Sequence, residues 1–228
     1  MSEVGPRDSL PDIRSWLRTF PMAALDRPDS SPPDPAVEPY VVFLDWLEHA
    51  AVSGIPEANV GVLATAGVGG GADARVLVLR DVTPNGWWFS GPVFSPKGLQ
   101  LEADPFAALT FYWREHGRQV RIVGAARSGD AATTARDFRD RSPTARAVAS
   151  ASEQSEVLAD EVEYRRAVDK AAAVIEGNSS FVPDHWRAWC LVATSVEFWQ
   201  ADPGRRHLRW RYSRADETRS WSQQTLWP

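Results

Sequence analysis

The sequence predicts an α+β protein built on an antiparallel β-barrel, and three observations carry that expectation. Short alternating segments follow one another as hairpins, helical periodicity is concentrated in a late insertion, and the chain then returns to strand periodicity. There is no βαβ rhythm and no G-x-G-x-x-G turn, which argues against a doubly wound dinucleotide fold. With 228 residues and 43% hydrophobic content the chain can bury the core of one domain.

The first 36 residues, ending in "DRPDSSPPDPA", are too rich in proline and polar residues for regular structure. They read as an extended or flexible N-terminal arm, leaving residues 37–228 as the folded domain. In "YVVFLDWLEHAAVSG", Phe43, Trp46, Leu47, Ala50 and Ala51 recur at helical spacing and Gly54 supplies a stop. Three strands in meander order are expected next: "VGVLATA", "RVLVLRDV" and "WWFSG", separated by "GVGGGADA" and "TPNG". The run "GVGGG" lacks the lysine and helix of a phosphate-cradling loop and reads as a hairpin tip. A short helix, "KGLQLEAD", leads through Pro105 into the hairpin "AALTFYW" and "RQVRIVGAAR". Helical periodicity over residues 130–177 precedes the strands "WRAWCLVATSVEFWQ" and "HLRWRY".

Composition narrows the function. A net charge of −5 argues against general nucleic-acid binding, so any anion the chain holds should be small. No segment approaches the ~18 apolar residues of a membrane span, and the N-terminus has no apolar signal core. A single cysteine, Cys190, excludes an intrachain disulfide framework and reads as a buried small hydrophobe. A soluble, cytoplasmic protein is expected. The four histidines are scattered without ligand spacing, so no metal site is expected, and no G-x-S-x-G elbow nominates a nucleophile.

Against that acidic background, Phe198 to Arg214 carries five arginines and a histidine. At strand period His207, Arg209 and Arg211 share one face, and Leu208, Trp210 and Tyr212 the other. A solvated basic face would explain this stretch alone. Arginines also recur on other strands, at Arg75 and Arg80 and at Arg118 and Arg121. Cations converging on a sheet suit a phosphate or carboxylate, because arginine offers a planar fork of donors.

The ordered motifs "RVLVLRDV", "SPKG", "DPFAALTFYWREHGRQVRIVG", "SEQSEVL", "EFWQ", "RRHLRWRY" and "LWP" resemble the pyridoxamine 5′-phosphate oxidase family, including its phenazine-biosynthesis branch. The resemblance covers roughly residues 37–228 and implies a split β-barrel that forms a homodimer with FMN at the interface. It implies that Arg75 and Lys97 bind the FMN phosphate and that the backbone of Val76, Leu77, Val78 and Leu79 runs along the flavin. Gln119, Gln154, Ser155, Trp199 and Arg209 match further FMN contacts. Arg205 and His207 match the family's R-x-H substrate contacts and are the catalytic candidates.

The family's substrate-phosphate set corresponds here to Arg80, Asp137, Arg141 and Ala145, where a carboxylate replaces tyrosine and a methyl replaces a serine hydroxyl. Pro96 stands where the family has an arginine beside Lys97. An aspartate repels a phosphate dianion unless an arginine pairs with it, so the substrate is expected to lack a phosphate. The resemblance then implies an FMN-dependent oxidase that takes hydride from a flat, anionic, reduced ring or amine and passes electrons to oxygen. Pyridoxine or pyridoxamine 5′-phosphate oxidation stays open, as do a non-catalytic flavin- or pyridoxal-phosphate-binding protein and a deazaflavin in place of FMN.

Overall fold

The computed structural model describes residues 13–19, 31–67, 69–202 and 204–228. A short helix, α1 (Ile13–Leu17), precedes α2 (Pro39–Val52), and the strands β1 (Val60–Ala66), β2 (Ala72–Val78), β3 (Asp81–Thr83) and β4 (Gly86–Pro92) follow. Helix α3 (Pro96–Ala103) leads into β5 (Phe106–Trp113) and β6 (Arg118–Ser128). The late insertion is α4 (Ala131–Arg139), α5 (Pro143–Ala151) and α6 (Glu161–Gly177), before β7 (Trp186–Gln200), β8 (Leu208–Ser213) and β9 (Ser222–Thr225). Much of the expected arm, residues 1–12 and 20–30, lies outside the described residues. Its end is fastened to the body, because Tyr212 Oη donates to Asp34 O and Gln223 Nε2 donates to Pro33 O.

The strands form one antiparallel sheet in the order β2-β1-β5-β6-β7-β4-β3, with β8 on β7 and β9 on β8. The expected meander of the first three strands is therefore corrected. β1 and β2 do form a hairpin, turned by Gly69, Gly70 and Gly71 at φ between 89° and 97°, values that side chains disfavour. "RVLVLRDV", however, is not one strand. Leu79 still donates its N–H to Asn59 O beside β1, while Arg80 donates to Trp88 O of β4. Two residues span only ~7 Å, yet they join the two ends of the sheet path, which brings β2 and β3 close together without pairing them. The sequence shows which side chains share a face, but a switch of pairing partner leaves no mark in periodicity.

Strand β7 explains why the barrel is split. One of its edges pairs with β6 along Trp189–Gln200. The other pairs with β4 along Trp186–Leu191 and with β8 along Ser195–Gln200, so the sheets diverge across residues 192–194. Alternation then decides what lies inside. Leu63, Leu109, Ile122, Val196 and Tyr212 stand in register across β1, β5, β6, β7 and β8 and are each wholly buried. Helix α2 closes the core with Phe43, whose ring meets Trp87, Phe111 and Trp113 at 5.0–6.0 Å. Most of the tryptophans in the strands are thus core residues, as Cys190 is, with burial pushing its thiol up to about 12.

Candidate functional site

Two positions in β2, two residues apart and so on one face, open the first half of the site. Arg75 donates from Nη1 to Thr65 Oγ1 (2.7 Å) and Leu63 O (3.3 Å), and from Nη2 to Asp73 Oδ2 (2.6 Å) and Gln100 Oε1 (2.8 Å). Gln100 comes from α3, whose start is fixed by Pro96 at the first helical position and by Ser95 Oγ accepting from Gly98 N–H. Lys97 follows at once, and its buried ammonium donates to Ser95 Oγ (3.0 Å) and Gln154 Oε1 (3.2 Å), both neutral. Burial, and then the guanidiniums of Arg75 and Arg141, push Lys97 down to about 8.

Arg75, Lys97, Gln154 and Ser155 line one cleft of about 190 Å³ together with Asp73, Ser95 and Pro96. Four expected cofactor contacts from three parts of the chain are thereby brought together. With Lys97 on neutral partners and Arg75 paired to Asp73, the cleft is still short of one negative charge. A phosphate monoester supplies that charge, so the residues fit the phosphate of FMN. β2 pairs only with β1 among the described strands, which leaves one backbone edge of Arg75–Val78 open for hydrogen bonding. Val76 and Val78 point outward, 67% and 46% exposed, and Leu79 is buried.

Next to this cleft lie residues expected to meet the substrate. Asp137, from α4, sits between Arg80 Nε (3.1 Å, to Oδ1) and Arg141 Nε (3.6 Å, to Oδ2) and also accepts from Trp186 Nε1 (2.9 Å). Arg141 lies 4.5 Å over the Trp186 ring and donates to Ser90 Oγ (2.7 Å). Its guanidinium is pushed below the usual range, by burial first. The Arg80–Asp137 pair borders a small cleft of about 60 Å³. Ala145 stands in the first turn of α5, where its N–H donates to Ser142 Oγ.

The second half of the site lies on the outer face of the sheet. Gln119, Trp199 and Arg209 stand in one row across β6, β7 and β8. His207 packs its ring 4.9 Å from that of Trp199 and accepts the Asp202 N–H at Nδ1 (3.2 Å). Neutral His207 therefore carries its proton on Nε2. Arg205 is exposed at φ 60°, and Ser155 in the first cleft has φ 76°. Those two are among three non-glycine residues with positive φ in the described chain, and such strain collects where side chains are aimed for function.

Some expectations need revision. Arg118 does not converge with the other cations. It is buried, 4.2 Å over the Trp46 ring, because three residues along a strand from Arg121 reverses the face. Arg121 and Arg209 both pair with Glu197, at 2.9 and 2.8 Å, and that buried carboxylate was missed. Asp73, Gln100 and Trp186 were missed as well. Two had a signal, since Asp73 lies two residues before Arg75 on a strand and Gln100 three after Lys97 on a helix. Finally, the two halves lie apart. Trp186 beside Arg141 and Trp199 beside His207 are thirteen positions apart on β7, about 40 Å along the strand at ~3.3 Å per residue.

Residues 47–175 match the family model for pyridoxamine 5′-phosphate oxidase, and residues 186–228 match the pyridoxine 5′-phosphate oxidase C-terminal dimerisation region. The chain belongs to the pyridoxamine 5′-phosphate oxidase family. A pyridoxine/pyridoxamine 5′-phosphate oxidase from Burkholderia vietnamiensis is 37% identical over 96% of this chain and 99% of its own length. One of the same name from Hyphomonas neptunium is 36% identical over 83% and 87%. Among solved structures, PhzG from Burkholderia lata 383, in complex with tetrahydrophenazine-1-carboxylic acid, superposes with TM-score 0.81. It is 30% identical and covers 88% of this chain and 98% of that one. A family-related FMN-binding protein from Nostoc punctiforme shares the fold, with TM-score 0.69 at 18% identity over 85% of this chain and all of that one. The expected split barrel is thus confirmed, and with membership goes the family's chemistry, FMN-dependent oxidation. No helix among the described residues is long and apolar enough to cross a membrane.

Proposed function

We propose that the chain is an FMN-dependent oxidase of a flat, partly reduced ring carrying a carboxylate, with molecular oxygen as electron acceptor, acting in the cytoplasm as a homodimer. The observation that carries the substrate reading is Asp137. Arg80 and Arg141 already hold one carboxylate between them, so this trio has a net charge of about +1 and suits a monoanion better than a phosphate dianion. The PhzG structure with a tetrahydrophenazine carboxylic acid agrees with that chemistry.

FMN, when bound, supplies the two-electron acceptor that oxygen then re-oxidises. The chain's own residues bind and orient. Lys97 and Arg75, with Gln154 and Ser155, hold the phosphate. Gln119, Trp199 and Arg209 would add cofactor contacts from the outer face, and the open edge of β2 would offer backbone hydrogen bonds to the cofactor. Arg205 and His207 position the anionic substrate, His207 offering its Nε2–H as a donor whose direction the Asp202 N–H fixes. The strand distance between the two halves supports a dimer in which each site takes one half from each protomer. The exposed Val62, Val76, Val78 and Tyr112 on that outer face give the second copy an apolar surface.

A second reading, oxidation of pyridoxine or pyridoxamine 5′-phosphate, is favoured by the name that the Burkholderia and Hyphomonas relatives share. Anaerobic mixing of the FMN-loaded protein with each substrate separates the two. Bleaching of the flavin bands by a reduced, carboxylated tricyclic ring, with oxygen uptake on aeration, is expected. Rapid bleaching by pyridoxine 5′-phosphate and none by the carboxylated ring would establish the second reading instead.

A further inference from the structure

We propose that Asp73 is an internal anion that competes with the cofactor phosphate for Arg75, and so sets how tightly this chain holds FMN. The proposal rests on the FMN reading of the cleft and concerns a residue outside the expected contact set.

Counting donors makes the argument. A guanidinium has five N–H groups. Both on Nη1 are committed, to Thr65 Oγ1 and Leu63 O, and both on Nη2 are committed, to Asp73 Oδ2 and Gln100 Oε1. That leaves the Nε–H. A two-point grip on phosphate, the geometry that makes arginine a strong phosphate ligand, needs a second donor. Asp73 has to yield one, or the grip stays single.

Asp73 does not yield freely. Its Oδ2 is held by a second donor, Gln100 Nε2 (2.9 Å), and Gln100 is itself buried with its Oε1 fixed by Arg75 and Thr65 Oγ1. The same residue lines the cleft, and its side chain is 44% exposed. An arriving phosphate therefore meets a like charge already seated on its partner. Pro96, at the first helical position of α3, offers neither a side-chain charge nor an N–H to offset it. Lys97 is left as the cation whose hydrogen-bond partners are neutral.

Asp73→Asn is the informative change. An amide oxygen in place of Oδ2 keeps both accepted hydrogen bonds, while the charge is removed and an amide N–H₂ can face the cleft. Apoprotein of the wild type and the variant is titrated with FMN and with riboflavin, following quenching of flavin fluorescence, at one salt concentration. The expected result is at least tenfold tighter FMN binding in the variant with riboflavin affinity unchanged. Asp73→Ser gives the same comparison should the asparagine variant fold poorly.

Equal or weaker FMN binding in a folded variant overturns the role of Asp73 while leaving the cofactor site in place. Equal tightening for FMN and riboflavin overturns it too, since the effect then does not act through the phosphate. Failure of both proteins to bind FMN removes the cofactor reading and this proposal together.

Discussion

The two carboxylate oxygens of Asp137 face different cations, Oδ1 toward Arg80 at 3.1 Å and Oδ2 toward Arg141 at 3.6 Å. One aspartate therefore sits where two arginines would otherwise hold an outside anion. Asp137→Asn keeps an acceptor for Trp186 Nε1 and releases the charge. The KM for pyridoxine 5′-phosphate should fall about tenfold or more, which corresponds to ~1.4 kcal/mol. Steady-state kinetics on wild type and variant decide it, and an unchanged KM would remove Asp137 as the selectivity determinant.

Lys97 makes cofactor affinity sensitive to alkali. In the free protein its ammonium is lost near pH 8, because burial and two neighbouring guanidiniums disfavour the charge. A phosphate dianion beside it favours the charge, so the bound state has the higher pKa and binding takes up a proton once the pH exceeds about 8. FMN affinity should be flat just below that value and fall above it, by up to about tenfold per pH unit. Lys97→Gln should bind FMN more weakly and lose this slope. A pH series of fluorescence titrations reads both.

Gly91 leaves room for that lysine. A methyl group there would overlap Lys97 Cε and Nζ, the flexible end of the chain, rather than backbone. Gly91→Ala should move the ammonium at a stability cost of about 1 kcal/mol or less. Thermal unfolding should therefore change little while FMN binding weakens several-fold; a variant that binds FMN as the wild type does would show that the lysine position is not critical.

His207 and Arg205 should separate catalysis from cofactor retention. Either alanine variant should keep FMN through gel filtration and lose about 10²-fold or more in turnover. His207→Gln, whose amide N–H can stand near the original Nε2–H, should recover part of the loss. His207→Asn, too short to reach, should recover none. Wild-type turnover in both alanine variants would contradict the assignment.

The sequence disclosed the local elements well because each leaves a periodic trace. Alternation at Leu208–Tyr212 put Trp210 and Tyr212 inside, where both are buried, and motif order brought Arg75, Lys97, Gln154 and Ser155 to one cleft. What stayed hidden was relational. Arg80 looked like the end of the Arg75 strand, but it follows the switch to β4, a pairing chosen by residues far away in sequence. Arg118 looked like one more surface cation until the face reversal turned it under Trp46. Glu197 and Asp73 were passed over because attention to cations ignores the carboxylates that hold them still.

The passage through Leu79 and Arg80 also limits how this chain can change over time. Side chains from Arg75 to Arg80 can be exchanged one by one, but their number cannot. Losing or gaining one residue would turn Arg80 away from Asp137 or Arg75 away from Lys97, because successive strand positions face opposite ways. Relatives that take new substrates should thus differ here by replacement and elsewhere by insertion, with this stretch acting as a ruler of fixed length between the Arg75–Lys97 and Arg80–Asp137 clusters.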